Sequence, residues 1–335
     1  MELQVQPFGD RLAALVEERE SQLVLGLDPD PAKLWPEALE AAGSAAEAVA
    51  DPAPAEPGTG ERATGGPSAV ASGEAAELAA RAVSAHCRAV IAAVGAQCAG
   101  VKLQLACFER LGAPGYRALA ETVQAAKQEG LIVIADGKRG DVPVTAAAYA
   151  QALFGSTPSP FGEIPGLGAD VATVNPLLGD DSIQPLVDSA AAHGAGVFLL
   201  VRTSNPGAAD IEDLPLEGGG TVTDRLAAMV ERVGSGVVGE SGLSSLGAVV
   251  GATEPAHIRR LRAAMPRGVF LIPGVGAQGG KVEDLAAAFT AGRASALITV
   301  SRALVNAWEQ TGGDPTDSAK AAADELRASI WAVSG

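Results

Sequence analysis

The sequence predicts a single α/β domain folded as a (β/α)8 (TIM) barrel. Eight short apolar runs recur along the chain, and helix-like stretches separate them at a spacing of roughly 25–40 residues per unit. The runs lack polar alternation, as expected for parallel strands that are covered on both faces. No glycine-rich motif follows the first run, which favours a closed barrel over a doubly wound open sheet.

The predicted elements alternate in chain order. The strands are Leu23–Leu27, Gly100–Leu105, Leu131–Ala135, Val171–Val174, Val197–Val201, Val237–Val238, Val269–Ile272 and Ala296–Val300, of which the sixth is the weakest. Helical patterns cover Ala75–Val94, Tyr116–Gln128, Ile183–Ala192 and Val222–Val233. A further short helix is predicted near the N-terminus, where Phe8, Leu12, Leu15 and Val16 share one face.

A segment of unusual composition accounts for part of the length beyond a minimal barrel. A (β/α)8 barrel takes about 250 residues, which leaves about 85 of the 335 to explain. Residues 43–73 are rich in Ala, Gly, Pro and Glu and hold few large apolar side chains, so burial cannot offset their ordering entropy. We expect a flexible insertion within one domain spanning 1–335. A domain linker is the alternative, but only about 40 residues precede it, too few for a domain.

Composition excludes several classes of partner. The formal net charge of −16 argues against a general nucleic-acid or anionic-membrane surface. No apolar run reaches the roughly 20 residues that span a bilayer, and the N-terminus is too polar for a signal peptide. Cys87, Cys98 and Cys107 lack zinc spacing and cannot all pair, which predicts reduced thiols in a cytoplasmic protein.

Polar residues follow most of the predicted strands, at the end where barrel chemistry is found. Asp28 follows the first strand, Lys102 lies inside the second, and Asp136, Lys138 and Asp141 follow the third. A lone lysine in an apolar strand must reach the barrel mouth or pair with a carboxylate, unless it lies on an edge strand facing solvent. The acid–base cluster after the third strand predicts a catalytic array, with a salt-bridged turn as the alternative.

A glycine-rich loop follows the seventh strand and predicts a phosphate site. The pattern Gly274-x-Gly276-x-x-Gly279 formally matches a dinucleotide fingerprint, but it does not open a βαβ unit, so we set that interpretation aside. Backbone amides after strands seven and eight commonly hold phosphate in barrels, and Gln278 and Arg302 add donors. A structural turn with a surface arginine is the alternative.

The three histidines are not candidates for catalysis. His86, His193 and His257 are predicted to lie in or beside helices, away from the strand ends. The sequence therefore offers no Ser-His-Asp set and no His-rich metal site.

These motifs together resemble the orotidine 5′-phosphate decarboxylase family. The resemblance is carried by Asp136-x-Lys138-x-x-Asp141, by Lys102, by the Pro273–Gly280 loop and by Arg302, and it extends over about Leu23 to Leu304 without residues 43–73. The Thr203–Gly207 segment resembles the longer bacterial subgroup. Membership implies a (β/α)8 barrel, a homodimer, no cofactor or metal, and conversion of orotidine 5′-phosphate to UMP and CO2 in pyrimidine biosynthesis.

The resemblance also implies roles for individual residues. Lys138 would protonate C6 of the pyrimidine, Asp136 would lie beside the substrate carboxylate, and Lys102 would hold Asp136 and contact the ribose. Asp141 completes the array and, with Thr145, would reach the neighbouring subunit's site. The substrate-binding set is Asp28, Thr145, Ser204, Gly276, Gln278 and Arg302. Two alternatives stay open: a metal-dependent sugar-phosphate lyase or aldolase on the same barrel, and a non-catalytic nucleotide-binding barrel.

Overall fold

A computed structural model describes residues 5–49, 69–276 and 279–335, and it confirms the (β/α)8 barrel. Eight parallel strands close into a barrel in the order β1-β2-β3-β6-β7-β8-β9-β10, with β10 pairing back to β1. They are β1 (Leu23–Leu27), β2 (Gly100–Gln104), β3 (Ile132–Arg139), β6 (Val171–Val174), β7 (Gly196–Arg202), β8 (Leu246–Val250), β9 (Phe270–Ile272) and β10 (Ala296–Val300). The short strands β4 (Ser156–Thr157) and β5 (Ile164–Pro165) form an antiparallel hairpin outside the barrel.

Helices surround the strands. They are α1 (Phe8–Arg19), α2 (Pro36–Val49), α3 (Ala69–Val94), α4 (Leu105–Glu109), α5 (Ala113–Gln128), α6 (Pro143–Leu153), α7 (Asp180–Ala192), α8 (Ala208–Ile211), α9 (Val222–Gly234), α10 (Pro255–Ala264), α11 (Arg302–Val305), α12 (Ala307–Thr311) and α13 (Pro315–Val333). After β9 the connection is a 3₁₀ helix, Val282–Phe289, in place of an α-helix.

Strand parity decides which side chains fill the barrel and which face the helices. Alternate residues such as Val24, Ile134 and Leu271 form an interior cluster, while their neighbours pack against the surrounding helices. Because successive residues of a strand point to opposite faces, Lys102 and Asp136 follow the inward positions of β2 and β3. The same alternation that fills the barrel therefore places these two side chains on its inward face, where they line the cavity at the ends of the strands.

Helix α1 closes the opposite end of the barrel. Phe8, Leu12 and Val16 are buried and belong to the interior cluster, and the Phe8 ring packs edge-on against Phe198 at 6.0 Å between centroids. The predicted apolar face of this helix thus covers the interior side chains at this end of the barrel, which the strands alone would leave open to solvent. Leu15, the fourth predicted member, is only partly buried.

Two predicted strands differ from the observed ones by more than one residue at an end. The sixth barrel strand is Leu246–Val250, and the prediction at Val237–Val238 is wrong: Val237 ends a 3₁₀ turn and Val238 forms an isolated bridge with Ser244. The true strand contains Gly247, which weakens its β-branched pattern but is required by packing, because a Cβ there would lie 2.2 Å from the Val269 carbonyl oxygen. Strand β3 is longer than predicted and runs through the charged motif to Arg139.

The low-complexity segment is helical at both ends. Helix α2 runs to Val49 and helix α3 begins at Ala69, so residues 43–49 and 69–73 continue regular structure. Alanine is the best helix former, which explains why these ends extend the neighbouring helices despite few large apolar side chains. Residues 50–68 lie outside the described residues, and the flexibility of the insertion stays a prediction.

Helix α3 and the turn after it are long and apolar enough to span a membrane, but α3 packs against other helices of the barrel. Within Gly73–Gln97, an 18-residue window reaches a mean hydropathy of 1.3, and 56% of that window is buried inside the protein. The helix packs against α5, α2 and α13. Its apolar face is used to cover the barrel.

Candidate active site

A cavity of about 530 Å³ opens at the carboxyl-terminal ends of the strands, which we call the barrel mouth. Residues from most barrel strands and the loops after them converge on it. The lining consists of Asp28, Lys102, Gln104, Asp136, Lys138, Thr173, Leu200, Thr203, Ser204, Asn205, Glu212, Val249, Leu271, Pro273, Gly274, Val275, Thr299, Ser301 and Arg302. Of the sequence-predicted site residues, six lie here: Asp28, Lys102, Asp136, Lys138, Ser204 and Arg302.

Asp136 is held between two lysine ammonium groups. Lys102 Nζ donates to Asp136 Oδ2 at 2.9 Å, and Lys138 Nζ donates to Asp136 Oδ1 at 2.6 Å. The Lys102 and Asp136 side chains are both buried, whereas the Lys138 side chain is 44% exposed. The edge-strand alternative for Lys102 is therefore wrong, and of the two ammonium groups that line the cavity, that of Lys138 belongs to the more exposed side chain.

The two buried charges stabilise each other's ionised forms. Burial acts to raise the pKa of Asp136, but the charges of Lys102 and Lys138 outweigh it and lower the pKa to about 2. Burial likewise acts to lower the pKa of Lys102, yet Asp136 and Asp28 raise it above its usual value. Asp136 is thus a carboxylate and Lys102 an ammonium at neutral pH.

Lys138 has an unusual backbone conformation. Its φ is +49°, in the left-handed region that non-glycine residues rarely adopt. It lies in a bulge of β3, where the pairing with β6 shifts between Ala135 and Arg139. Beyond the bulge, Arg139 is anchored by an ion pair with Glu109 and lies 5.7 Å from the Tyr149 ring centroid. Arg139 therefore packs outside the cavity.

Asp28 joins the first strand to the lysine cluster and to the last strand. Its Oδ1 lies 3.4 Å from Lys102 Nζ, and its Oδ2 accepts a hydrogen bond from Ser301 Oγ at 2.6 Å. Lys102 Nζ also lies 3.4 Å from Gln104 Oε1. These contacts leave the Asp28 side chain 38% exposed at the cavity wall, where it can accept hydrogen bonds from a ligand.

The loop after β7 is pinned at its base. Buried Arg202 makes two 3.0 Å bonds to the Asp213 carboxylate and a 2.7 Å bond to the Thr203 carbonyl. Glu212 in turn accepts from the Thr203 amide at 2.8 Å and from its hydroxyl at 2.9 Å. This network holds the segment that carries Ser204 at the cavity wall.

The predicted phosphate residues are only partly assembled here. Arg302 lines the cavity at the start of α11, with its side chain exposed. Gly276 does not line it: its φ is +74°, and its amide donates to the Gly280 carbonyl within the glycine loop at 2.9 Å. Gln278 lies outside the described residues. The loop geometry thus satisfies one of its own amides and leaves the phosphate role of Gly276 and Gln278 as a prediction.

Asp141 and Thr145 lie away from the cavity of their own chain. Asp141 is partly exposed and accepts the Val142 amide at 2.8 Å, and Thr145 is exposed near the start of α6. Neither residue lines the cavity. Within one chain the array therefore comprises Lys102, Asp136 and Lys138.

Several cavity residues were missed by sequence reasoning. Gln104, Thr173, Thr203, Glu212 and Ser301 line the cavity and bond to predicted site residues or their neighbours. Gln104 and Ser301 stand where a strand ends, a signal that could have found them. His86, as expected, has no place in this cavity: its Nδ1 accepts the Trp35 amide, and burial lowers its pKa to about 4. Among residues 5–49, 69–276 and 279–335, no three His, Cys, Asp or Glu side chains are grouped as metal ligands.

Comparison with known proteins decides the family. Residues 21–321 match the family model described as the orotidine 5′-phosphate decarboxylase / HUMPS family. The chain belongs to this family. An orotidine 5′-phosphate decarboxylase of Deinococcus radiodurans is 43% identical over 242 residues, which cover 72% of this chain and 84% of that protein. The resemblance inferred from the motifs is thereby confirmed.

Solved structures agree with the family assignment. The OMP decarboxylase of Leishmania donovani superposes with a TM-score of 0.66 at 28% identity, covering 98% of this chain and 99% of that one. The UMP synthase of the same organism gives a TM-score of 0.68 at 29% identity, and this chain spans 57% of that longer protein. The family assignment and the solved structures thus agree on the barrel fold.

Proposed function

We propose that this chain converts orotidine 5′-phosphate to UMP and CO2 without a metal or cofactor. The observation that carries the proposal is the Asp136 carboxylate clamped between Lys102 and Lys138 at 2.9 and 2.6 Å, at the end of a cavity large enough for a nucleotide. Membership of the decarboxylase family supports the same reaction.

The charges suit the chemistry of decarboxylation at a pyrimidine carbon. When the bond between C6 and the carboxylate breaks, its electron pair stays on C6 and CO2 departs. A fixed ammonium aimed at C6 stabilises this charge without reorganisation, which is preorganised electrostatic catalysis. Lys138, the exposed member of the clamp, fills this role and transfers one proton to C6, and solvent then reprotonates its amine.

Asp136 and Lys102 serve this step indirectly. With a pKa of about 2, Asp136 is ionised at neutral pH and would face the substrate carboxylate, which disfavours the bound ground state. Buried Lys102 holds the Asp136 carboxylate in place and contacts the ribose.

The remaining substrate contacts are those that the family resemblance implies. Asp28 accepts hydrogen bonds from ribose hydroxyls, and Ser204 contacts the pyrimidine edge. Arg302, with Gly276 and Gln278 of the glycine loop, binds the phosphate; a guanidinium provides the forked donors that suit this anion. Binding energy gained at the phosphate, remote from C6, can serve the chemical step by holding the base against Lys138.

A homodimer would complete the array with Asp141 and Thr145 of the neighbouring subunit. Exposed apolar side chains stand beside these two residues in the sequence: Val142 is 55% exposed and Val144 is 86% exposed. An exposed apolar patch of this kind marks a protein–protein contact. Asp141 lies outside the cavity of its own chain, so in the proposed homodimer it would act in the cavity of the second subunit.

Mixed dimers test this arrangement. Lys138→Ala and Asp141→Ala chains are each expected to be inactive, but a randomly mixed population would regain roughly a quarter of the competent sites, because each heterodimer holds one complete site. Recovery of activity after mixing supports the shared site. A monomeric mass in solution, or no recovery after demonstrated subunit exchange, contradicts it.

The reaction itself is tested by following the absorbance of orotidine 5′-phosphate with chelator-treated protein. Turnover that survives EDTA supports the proposal. Loss of turnover with EDTA and recovery with a divalent cation would favour the metal-dependent lyase, which must stabilise an enediolate. UMP binding without turnover would indicate a non-catalytic barrel. We expect the enzyme in the cytoplasm, in keeping with the free thiols of Cys87, Cys98 and Cys107.

A further inference from the structure

Thr173 lies at the one place on β6 that faces the charged motif of β3. The two strands pair in register at Ile134–Val171 and Ala135–Ala172, and the next pair is Arg139–Val174. Residues 136–138 therefore bulge opposite the single residue Thr173. Its side chain is buried, with 1% of the residue exposed, inside an otherwise apolar strand.

The Thr173 hydroxyl makes two hydrogen bonds, one with Lys138 and one with Asp136. It accepts the backbone N–H of Lys138 at 3.0 Å and donates to Asp136 Oδ1 at 2.7 Å. A hydroxyl has one proton and two lone pairs, so both bonds form at once. Asp136 Oδ1 also accepts the Lys138 ammonium at 2.6 Å, which closes a ring through Thr173, Asp136 and both ends of Lys138.

The backbone of Lys138 needs such a partner. At φ +49° it pays the steric cost of the left-handed region, and such conformations persist only where the surroundings fix them. Because the bulge takes Lys138 out of register with β6, its amide bonds to a side chain in place of a strand carbonyl. The Thr173 hydroxyl thus takes the place of a strand-to-strand hydrogen bond at the residue whose side chain has to be directed into the cavity.

We propose that Thr173 is a positioning residue for decarboxylation: its hydroxyl fixes the direction of the Lys138 side chain and the orientation of the Asp136 carboxylate. Because both hydrogen bonds of the hydroxyl are made with these two residues, Thr173 acts through them and not on the substrate. The proposal rests on the roles given above to Lys138 and Asp136. It explains why a hydroxyl side chain stands in the apolar sequence Val-Ala-Thr-Val.

Three substitutions separate the hydroxyl from the shape of the side chain. Thr173→Val keeps the shape and removes both bonds, Thr173→Ser keeps the hydroxyl, and Thr173→Ala differs from Thr173→Ser by that oxygen alone. We expect kcat to fall roughly 10- to 100-fold in the valine and alanine variants, the loss that a misplacement near 1 Å produces. We expect kcat of the serine variant to stay within about threefold of the parent.

The split between kcat and KM identifies positioning. KM for orotidine 5′-phosphate and Kd for UMP should stay within about threefold in all variants, because the phosphate and ribose contacts are untouched. Thermal unfolding of each variant checks the fold, and if the valine protein does not fold, the serine–alanine pair decides the question alone.

Two results would overturn the inference. One is parental kcat in the valine and alanine variants, and the other is equal loss in the serine and alanine variants. Both leave the proposed reaction intact, which is tested separately by turnover of the parent enzyme and by Lys138→Ala.

Discussion

Replacing Lys138 by alanine removes the ammonium group that lies 2.6 Å from Asp136 Oδ1 and faces the cavity. Two contributions to the rate are lost together. Removing one preorganised donor of developing negative charge costs about 10²–10³-fold in kcat. Removing a positioned proton donor costs about 10²–10⁴-fold. If the two effects multiply, kcat falls by about 10⁴–10⁷-fold.

The fold should tolerate this change. The Lys138 side chain is 44% exposed, so solvent screens its pair with Asp136, and the loss in stability is expected to be about 1 kcal/mol or less. Asp136 keeps Lys102 at 2.9 Å and the Thr173 hydroxyl at 2.7 Å, and its charge stays compensated. The inward side chains that fill the barrel are not altered.

The assay compares parent and variant for turnover of orotidine 5′-phosphate, binding of UMP and thermal unfolding. Lys320→Ala is the matched control, because it deletes an exposed lysine on α13, the last helix of the chain. We expect the control to behave as the parent, and Lys138→Ala to bind UMP, unfold cooperatively and show no measurable turnover. Activity of Lys138→Ala within tenfold of the parent would refute the assignment of the proton donor.

Three further predictions follow from single contacts. Arg302→Ala should weaken UMP binding about 10- to 100-fold, the worth of a charge-assisted hydrogen bond, while uridine binding is unchanged; equal loss for both ligands in calorimetry would contradict a phosphate role. Gly247→Ala should destabilise the barrel by about 1–3 kcal/mol in denaturant unfolding, because the new Cβ meets the Val269 carbonyl at 2.2 Å, whereas Gly218→Ala, with open space around it, should be neutral; equal effects would argue against the packing account. The pKa of Asp136 is lowered from 3.8 to about 2, so its ionised form contributes stability above about pH 4, and this contribution is lost as the pH falls through about 2. The difference in unfolding free energy between the parent and Asp136→Asn should therefore shrink on acidification. A difference that stays constant with pH would show that the carboxylate is not its source.

The barrel class and the residue types at its mouth could be predicted from the sequence because both depend on local pattern. Apolar runs such as Leu23–Leu27 and Ala296–Val300 have the predicted bounds, since strands buried on both faces need continuous apolar residues. Lys102 stood out because a charge in an apolar strand must find a partner, and the structure supplies Asp136.

The misplaced sixth strand shows where local pattern stops being sufficient. Leu246–Val250 contains Gly247, whose presence is explained by the approach of Val269 and Phe198 from neighbouring strands. The pair Val237–Val238 is more β-branched but lies in a turn and an isolated bridge below the barrel. Packing between strands, which no single segment records, decided between them.

The sequence by itself determined the fold class, the residue types of the array and their spacing, because strand parity and the ends of parallel strands follow from the chain's own periodicity. The tertiary structure decided which oxygen of Asp136 each lysine takes, that Lys138 adopts a left-handed backbone, and that Asp141 stays out of its own cavity. It also brought Thr173, 35 residues away in the chain, to the Lys138 amide. These facts depend on distances across strands, and hydrogen bonds between residues remote in sequence form only once the barrel has closed.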